Sequence, residues 1–207
     1  MSRIIYAICH FSLNLLFKIF FGFKVKGRHH IPRRGGVIVA ANHLSFLDPP
    51  ILGTALPRPA HYMARHDLFS FPLWGRFLRL VNAFPIRREG IDRQALRKAI
   101  EYLRQEKVLI LFPEGTRSLS GELLPPLPGI GMMASEGRAV IVPAYIKGTD
   151  KALPPQAKFI KFRRVEVTLG KPFSPEKLFS SSLPKREIYD KITHHLMAEI
   201  KRLKEAG

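Results

Sequence analysis

A chain of 207 residues with 46% hydrophobic content can bury a substantial core, and one domain is the default. Its 34 Lys+Arg against 16 Asp+Glu give a formal net charge of +18, a field that favours anionic partners: nucleic acid, anionic lipid, phosphorylated substrates or acidic proteins. The single cysteine, Cys9, excludes an internal disulfide and fits a reducing compartment, and no Cys/His cluster has zinc spacing, so no metal site is expected.

Residues 4–23, IIYAICHFSLNLLFKIFFGF, form the most apolar stretch and are marginally long enough to cross a bilayer as a helix. His10, Asn14 and Lys18 recur every four residues, so a helix stacks them into one polar stripe. Such a stripe suits a segment lying in a membrane interface or packed against a protein face. Five Phe residues and few charges favour membrane contact over an ordinary buried helix. No small-residue cleavage site follows, so a removed signal peptide is not expected. Lys24–Arg34 is basic and ends in a turn. Gly36–Pro50, GVIVAANHLSFLDPP, then reads as a buried strand running into a polar turn with Asn42, His43, Ser45 and Asp48.

The spacing of His43 and Asp48 is a geometric test. In one helix, five residues rotate Asp48 roughly 140° away from His43, and in a strand the two face opposite sides. They meet only across a turn. Without such a meeting, Asp48 is the N-cap of a helix Pro49–Leu56, and His43 is a turn histidine bonded to backbone.

Further along, His61–Arg65 and Ala83–Ile86 read as short strands, and Phe71–Val81 as an apolar helix. Trp74 in that helix is expected in the core or facing a membrane. Asp92 caps a helix through Gln105. Val108–Phe112 is a second apolar strand, and it ends in the charged turn Pro113–Ser118. A proline-rich loop, Leu119–Pro128, leads to a short helix Gly129–Ser135. Ala139–Lys147 is a third buried strand, Val165–Leu169 a strand near a sheet edge, and Ser174–Phe179 a helical turn or two. Lys185–Lys204 is an amphipathic helix with Ile188, Ile192, Leu196, Ile200 and Leu203 on one stripe. The expected fold is α/β: a largely parallel central sheet flanked by helices, preceded by an apolar membrane-associating helix. The division is residues 1–23 for that helix and residues 24–207 for the α/β domain.

Three charged turns follow strands: His43/Asp48, Arg87/Arg88 and Glu114/Arg117. Loops beyond strand ends on one edge of an α/β sheet share a crevice. Together they offer a base, its carboxylate and arginines for an anion. No G-x-S-x-G elbow implies an acyl-enzyme, and no GxGxxG or Walker pattern supports a nucleotide loop.

Asn42–Asp48, NHLSFLD, resembles the first motif, NHxSxxD, of glycerolipid acyltransferases, and most of all that of the bacterial 1-acyl-sn-glycerol-3-phosphate acyltransferases. Phe84-Pro85-Ile86-Arg87-Arg88 resembles the second motif, with Arg88 at its arginine position. Phe112–Ser118 matches the third, FPEGTRS, at every position, and Val142-Pro143 resembles the fourth. The likeness runs from about Gly27 to Gly170. It implies transfer of a fatty acyl group from acyl-CoA or acyl-acyl-carrier-protein, as co-substrate, to the sn-2 hydroxyl of lysophosphatidic acid, with no cofactor. It casts His43 as general base and Asp48 as its partner. Arg88, Glu114, Gly115, Thr116 and Arg117 become the acceptor site. The implied place is the cytoplasmic face of the inner membrane, with membrane lipid as partner and no nucleic acid. Leu127 stands where many relatives carry a lysine after the third motif. Another lysolipid, such as a lyso-ornithine lipid, is the alternative acceptor. A basic, non-catalytic membrane-docking protein is the alternative without chemistry.

Overall fold

The three apolar runs become the middle of one sheet, because each is short, rich in Val and Ile, and bounded by Gly or polar residues. The computed structural model describes residues 3–87, 90–157, 159–178 and 183–207. The strands are β1 (Lys24–Lys26), β2 (Val37–Ala41), β3 (Ala60–Arg65), β4 (Ala83–Ile86), β5 (Val108–Leu111), β6 (Val140–Lys147) and β7 (Glu166–Leu169). They lie in the order β1-β7-β6-β2-β5-β3-β4, and every neighbouring pair is parallel except β6 and β7. The helices are α1 (Arg3–Phe21), α2 (Asp48–Ala55), α3 (Pro72–Leu80), α4 (Arg93–Arg104), α5 (Gly129–Glu136), α6 (Thr149–Ala152), α7 (Pro175–Leu178) and α8 (Lys185–Ala206).

Side-chain alternation along β2 builds two cores. Val37, Val39 and Ala41 face a cluster closed by α1 and α2, while Ile38 and Ala40 face one closed by α4, α5 and α8. All five β2 residues are fully buried, as the continuous apolar run requires of a central parallel strand. Helix α4 starts where expected: Asp92 Oδ1 accepts from Ala95 N at 3.0 Å, and Oδ2 accepts from Arg87 N at 2.9 Å. The expected edge strand, β7, is one place in from the edge. Lys24–Lys26, read from sequence only as a basic lead-in, pairs beside it and is itself the edge, where exposed Lys24 and Lys26 discourage further pairing.

Helix α1 is inside out relative to a soluble helix. Two of its three stripe residues face the protein, while Lys18 stays exposed: His10 Nε2 donates to Leu56 O and Asn14 Nδ2 to Thr54 O, both at 3.3 Å. These carbonyls belong to the last turn of α2 and its C-cap, whose acceptors have no partner within the helix. Phe17 and Phe21 enter the core, but Ile5, Ile8, Phe11, Leu15, Leu16, Ile19 and Phe20 are exposed. Helix α3 is similarly bare, with Leu73, Trp74 and Phe77 exposed and only Gly75 buried. Among the described residues, no helix is long and apolar enough to cross a membrane.

Candidate active site

Register places the turns. Ala40 of β2 lies between Leu111 of β5 and Pro143 of β6, so the chains leaving β2 and β5 emerge side by side. Asn42 fixes the first of them. Its side chain donates to Ile146 O at 2.9 Å and accepts from Ile146 N at 2.7 Å, extending the β2–β6 pairing by one rung after the strand ends. With the strand anchored there, the next residues are free to bend.

The bend brings His43 and Asp48 together. Nδ1 of His43 donates to Asp48 Oδ2 at 2.8 Å. The same oxygen accepts from Leu44 N at 2.6 Å and Ser45 N at 2.7 Å. Asp48 is therefore not an N-cap. It is the first residue of α2, Leu47 holds the cap position, and the carboxylate turns back into the preceding loop. The loop is braced again by Ser45 Oγ, which donates to Leu153 O at 2.6 Å and accepts from Leu47 N at 3.1 Å. Asp48 is fully buried, whereas the His43 side chain keeps 13% of its surface exposed. Occupation of Nδ1 leaves Nε2 as the nitrogen available to a substrate proton. The imidazole stacks on Phe112, the residue that follows β5, at 4.1 Å between centroids.

Glu114 ties this turn to two loops. Its Oε1 accepts from His43 N and its Oε2 from Leu124 N, each at 3.1 Å. Burial pushes its carboxyl above the ordinary 4.5, and the two backbone donors oppose that shift. Ser118 N donates to His43 O at 2.8 Å, so the third charged turn holds the first at both of the histidine's backbone groups. Gly115 has φ +65, a conformation that needs glycine, and an added Cβ would lie 2.4 Å from Leu127 Cδ1. Thr116 is exposed on the same turn.

The guanidinium of Arg117 lies 3.6 Å over the ring of Phe46, a cation–π contact. Burial lowers its pKa, and the nearby Asp48 charge partly restores it. Arg117 Nη1 and Asp48 Oδ1 are both buried with no hydrogen-bond partner. A buried donor without a partner costs about 1–3 kcal/mol, and Nη1 finds no acceptor among the described residues. Arg88 lies outside the described residues. Of the expected site residues, His43, Asp48, Glu114, Gly115 and Arg117 are gathered on one sheet edge. Sequence reasoning gave no role to Asn42, Ser45, Phe46 or Phe112, although all four stand inside the quoted motifs. Leu124 and Leu153 had no local signal, because only their backbones take part.

A model of the acyltransferase family matches residues 22–147, more than half of the chain. The 1-acyl-sn-glycerol-3-phosphate acyltransferase of Bacillus subtilis is 29% identical over 199 residues, covering 96% of each chain. The enzyme of the same description from Saccharomyces cerevisiae is 29% identical over 187 residues, covering 87% of this chain and 60% of its own. The crystal structure of the 1-acyl-sn-glycerophosphate acyltransferase PlsC from Thermotoga maritima superposes with a TM-score of 0.72 at 27% identity, covering 95% of this chain and 80% of that one. A mostly parallel sheet with two of its turns meeting at a histidine and a carboxylate is thus found in a chain similar throughout to acyl-transferring enzymes. The protein belongs to the glycerolipid acyltransferase family, related to the 1-acyl-sn-glycerol-3-phosphate acyltransferases, and its reaction class is acyl transfer.

Proposed function

We propose that the protein moves a fatty acyl group from acyl-CoA or acyl-acyl-carrier-protein to the sn-2 hydroxyl of 1-acyl-glycerol-3-phosphate, giving phosphatidic acid. The observation that carries this reading is Asp48 Oδ2, which accepts from His43 Nδ1, Leu44 N and Ser45 N together. It fixes the imidazole with Nδ1 protonated and Nε2 as acceptor. Nε2 takes the hydroxyl proton as the acceptor oxygen attacks the thioester carbonyl. The new C–O bond forms, the C–S bond breaks, and the imidazolium returns its proton to the departing thiolate. General-base assistance of this kind contributes about 10²–10⁴ in rate. The anionic Asp48 offsets the transient positive charge on the ring. Arg117, with an unpartnered Nη1, binds the acceptor phosphate, beside Gly115 and Thr116. Glu114 contributes by positioning, since both its oxygens are taken by backbone N–H groups.

The protein rests on the cytoplasmic face of the membrane as a peripheral or monotopic enzyme. Exposed Ile8, Phe11 and Ile19 of α1 enter the interface, and the net charge of +18 adds attraction to anionic lipid. A second acceptor reading has one observation in its favour. Leu127, an apolar side chain, lies against Gly115 where the family resemblance implies a lysine, which suits a lyso-ornithine lipid or a lysophospholipid with a larger head group. The experiment is thiol release from acyl-CoA and acyl-acyl-carrier-protein against a panel of lysolipids. Release requires an added acceptor, is fastest with lysophosphatidic acid, and in Arg117→Ala loses acceptor use more than thioester use. A ranking led by another lysolipid replaces the acceptor. Absence of acceptor-dependent release with every pair leaves the docking protein.

A further inference from the structure

The central strand β2 has two neighbours. On the β5 side, the turn carrying Glu114 and Arg117 stands beside His43. On the other side, the ends of β6, β7 and β1 open into a groove of about 520 Å³ that reaches Leu44, the residue after His43. Its cations come from four separate segments: Lys24, Lys147, Lys151 and the pair Arg163 and Arg164. Its two carboxylates are Asp150 and Glu166, and Glu166 is already paired with Lys26 at 2.7 Å. Lys147 Nζ donates to Gly207 O at 2.6 Å. Lys24, Lys151, Arg163 and Arg164 have no ion-pair partner among the described residues.

Backbone bonds hold these cations together. Val165 N donates to Phe21 O at 3.0 Å, Lys24 N to Val165 O at 3.1 Å, and Lys161 N to Ala152 O at 2.7 Å. Gly148, at φ +93, allows the turn after β6 to press on the 164 backbone, since an added Cβ would sit 2.1 Å from Arg164 O. The bond from Ser45 Oγ to Leu153 O ties the end of α6 to the His43 turn. The groove is therefore fixed relative to the candidate base.

Transfer between two substrates needs both beside one base, and the β5 side holds the acceptor residues. The remaining side is cationic and open. Both thioester donors present the same group there, a phosphorylated pantetheine arm. We propose that this groove binds the pantetheine phosphate of the acyl donor on Lys24, Lys151, Arg163 and Arg164, with the thioester carried past Leu44 to His43. The proposal rests on the acyl-transfer reading above.

The test measures kcat/KM in detergent micelles for acyl-CoA, acyl-acyl-carrier-protein, S-acyl-phosphopantetheine and S-acyl-pantetheine. The wild type prefers S-acyl-phosphopantetheine to S-acyl-pantetheine, and K151Q/R164Q cuts that preference about tenfold, as expected for losing two charge-assisted phosphate bonds at an exposed site. The acceptor KM moves less than about twofold. The same charge removed by K191Q/K201Q, on α8, leaves the preference intact. Of the two natural donors, the one with the higher wild-type kcat/KM is the source, and its value falls about tenfold in the double variant. Turnover with an unchanged preference overturns the groove and spares the reaction. A variant effect confined to acyl-CoA assigns the cations to the nucleotide end, and loss of binding to anionic vesicles with donor preferences intact assigns them to lipid headgroups; either overturns the proposal. No wild-type turnover with any thioester overturns both the groove and the reaction it serves.

Discussion

Replacing Asp48 by asparagine separates two roles that carboxylates behind histidines usually combine. In many such pairs the amide rotates, offers its NH₂ to the ring and forces the wrong tautomer. Here rotation is blocked. Leu44 N and Ser45 N both point at Oδ2, so the asparagine oxygen must occupy that position, where it also accepts from His43 Nδ1. The NH₂ takes the place of Oδ1, which has no partner. Geometry and tautomer survive, and only the negative charge is lost. Two unit charges roughly 4 Å apart at an effective dielectric of about 20 interact by about 4 kcal/mol, which corresponds to a rate factor of about 10³. The assay is acceptor-dependent thiol release by Asp48→Asn, with circular dichroism and Tm to verify the fold. A kcat/KM down by about 10³ with a Tm within a few degrees is expected. A folded variant within about tenfold of wild type would show that the charge of Asp48 does not stabilise an imidazolium, and the general-base reading would fall.

Glu114 gives a pH prediction. Its folded pKa is raised by burial above the ordinary 4.5, so the folded state holds this proton more tightly than the unfolded chain, and the stabilisation it provides is greatest below 4.5 and is lost as pH rises through the folded value. Glu114→Gln removes that dependence, so wild type minus variant in Tm should shrink between pH 4.5 and neutrality; a constant difference would contradict the buried-carboxyl account. On α1, Ile8→Ser/Phe11→Ser/Ile19→Ser removes three exposed side chains, each worth about 1.5–3 kcal/mol when fully buried. Binding to anionic vesicles should fall by more than about 100-fold with Tm unchanged, and unaltered binding in sedimentation would remove α1 as the docking face.

The sheet was legible because its central strands hold unbroken apolar runs, whose burial on both faces is a local property of Val37–Ala41, Val108–Leu111 and Ile141–Ala144. The His43–Asp48 contact was legible as a geometric alternative, since the spacing admits it only across a turn. What holds that turn was not. The N-cap reading of Asp48 followed a sound local rule, Asp before Pro, but three donors from the preceding loop outcompete the single bond a cap provides. Phe112 under the imidazole and Leu153 under Ser45 Oγ come from other strands and helices, 69 residues along the chain in one case and 108 in the other. Edge strand β1 is short and carries lysines, so its composition looks like that of a loop, and only pairing with β7 makes it a strand.

The polar stripe of α1 left two partners open, and its hydrogen bonds choose the protein. That choice has a consequence for orientation. Tyr6 Oη accepts from Ala60 N at 3.1 Å, at the start of β3, while Phe21 O accepts from Val165 N beside the groove, so α1 runs the height of the sheet from its N-terminal edge to its C-terminal edge. The apolar outer face therefore ends at the sheet edge from which the His43 turn emerges, and Phe20 stacks on exposed Phe162 at 5.0 Å at that end. A helix that satisfied its polar groups in solvent would have had to turn its apolar face inward. Because α2 offers Thr54 O and Leu56 O as acceptors, the inverted arrangement loses no hydrogen bonds. The same two bonds that fasten the helix to α2 thus aim its bare side outward, along the height of the sheet to the edge that carries His43 and Asp48.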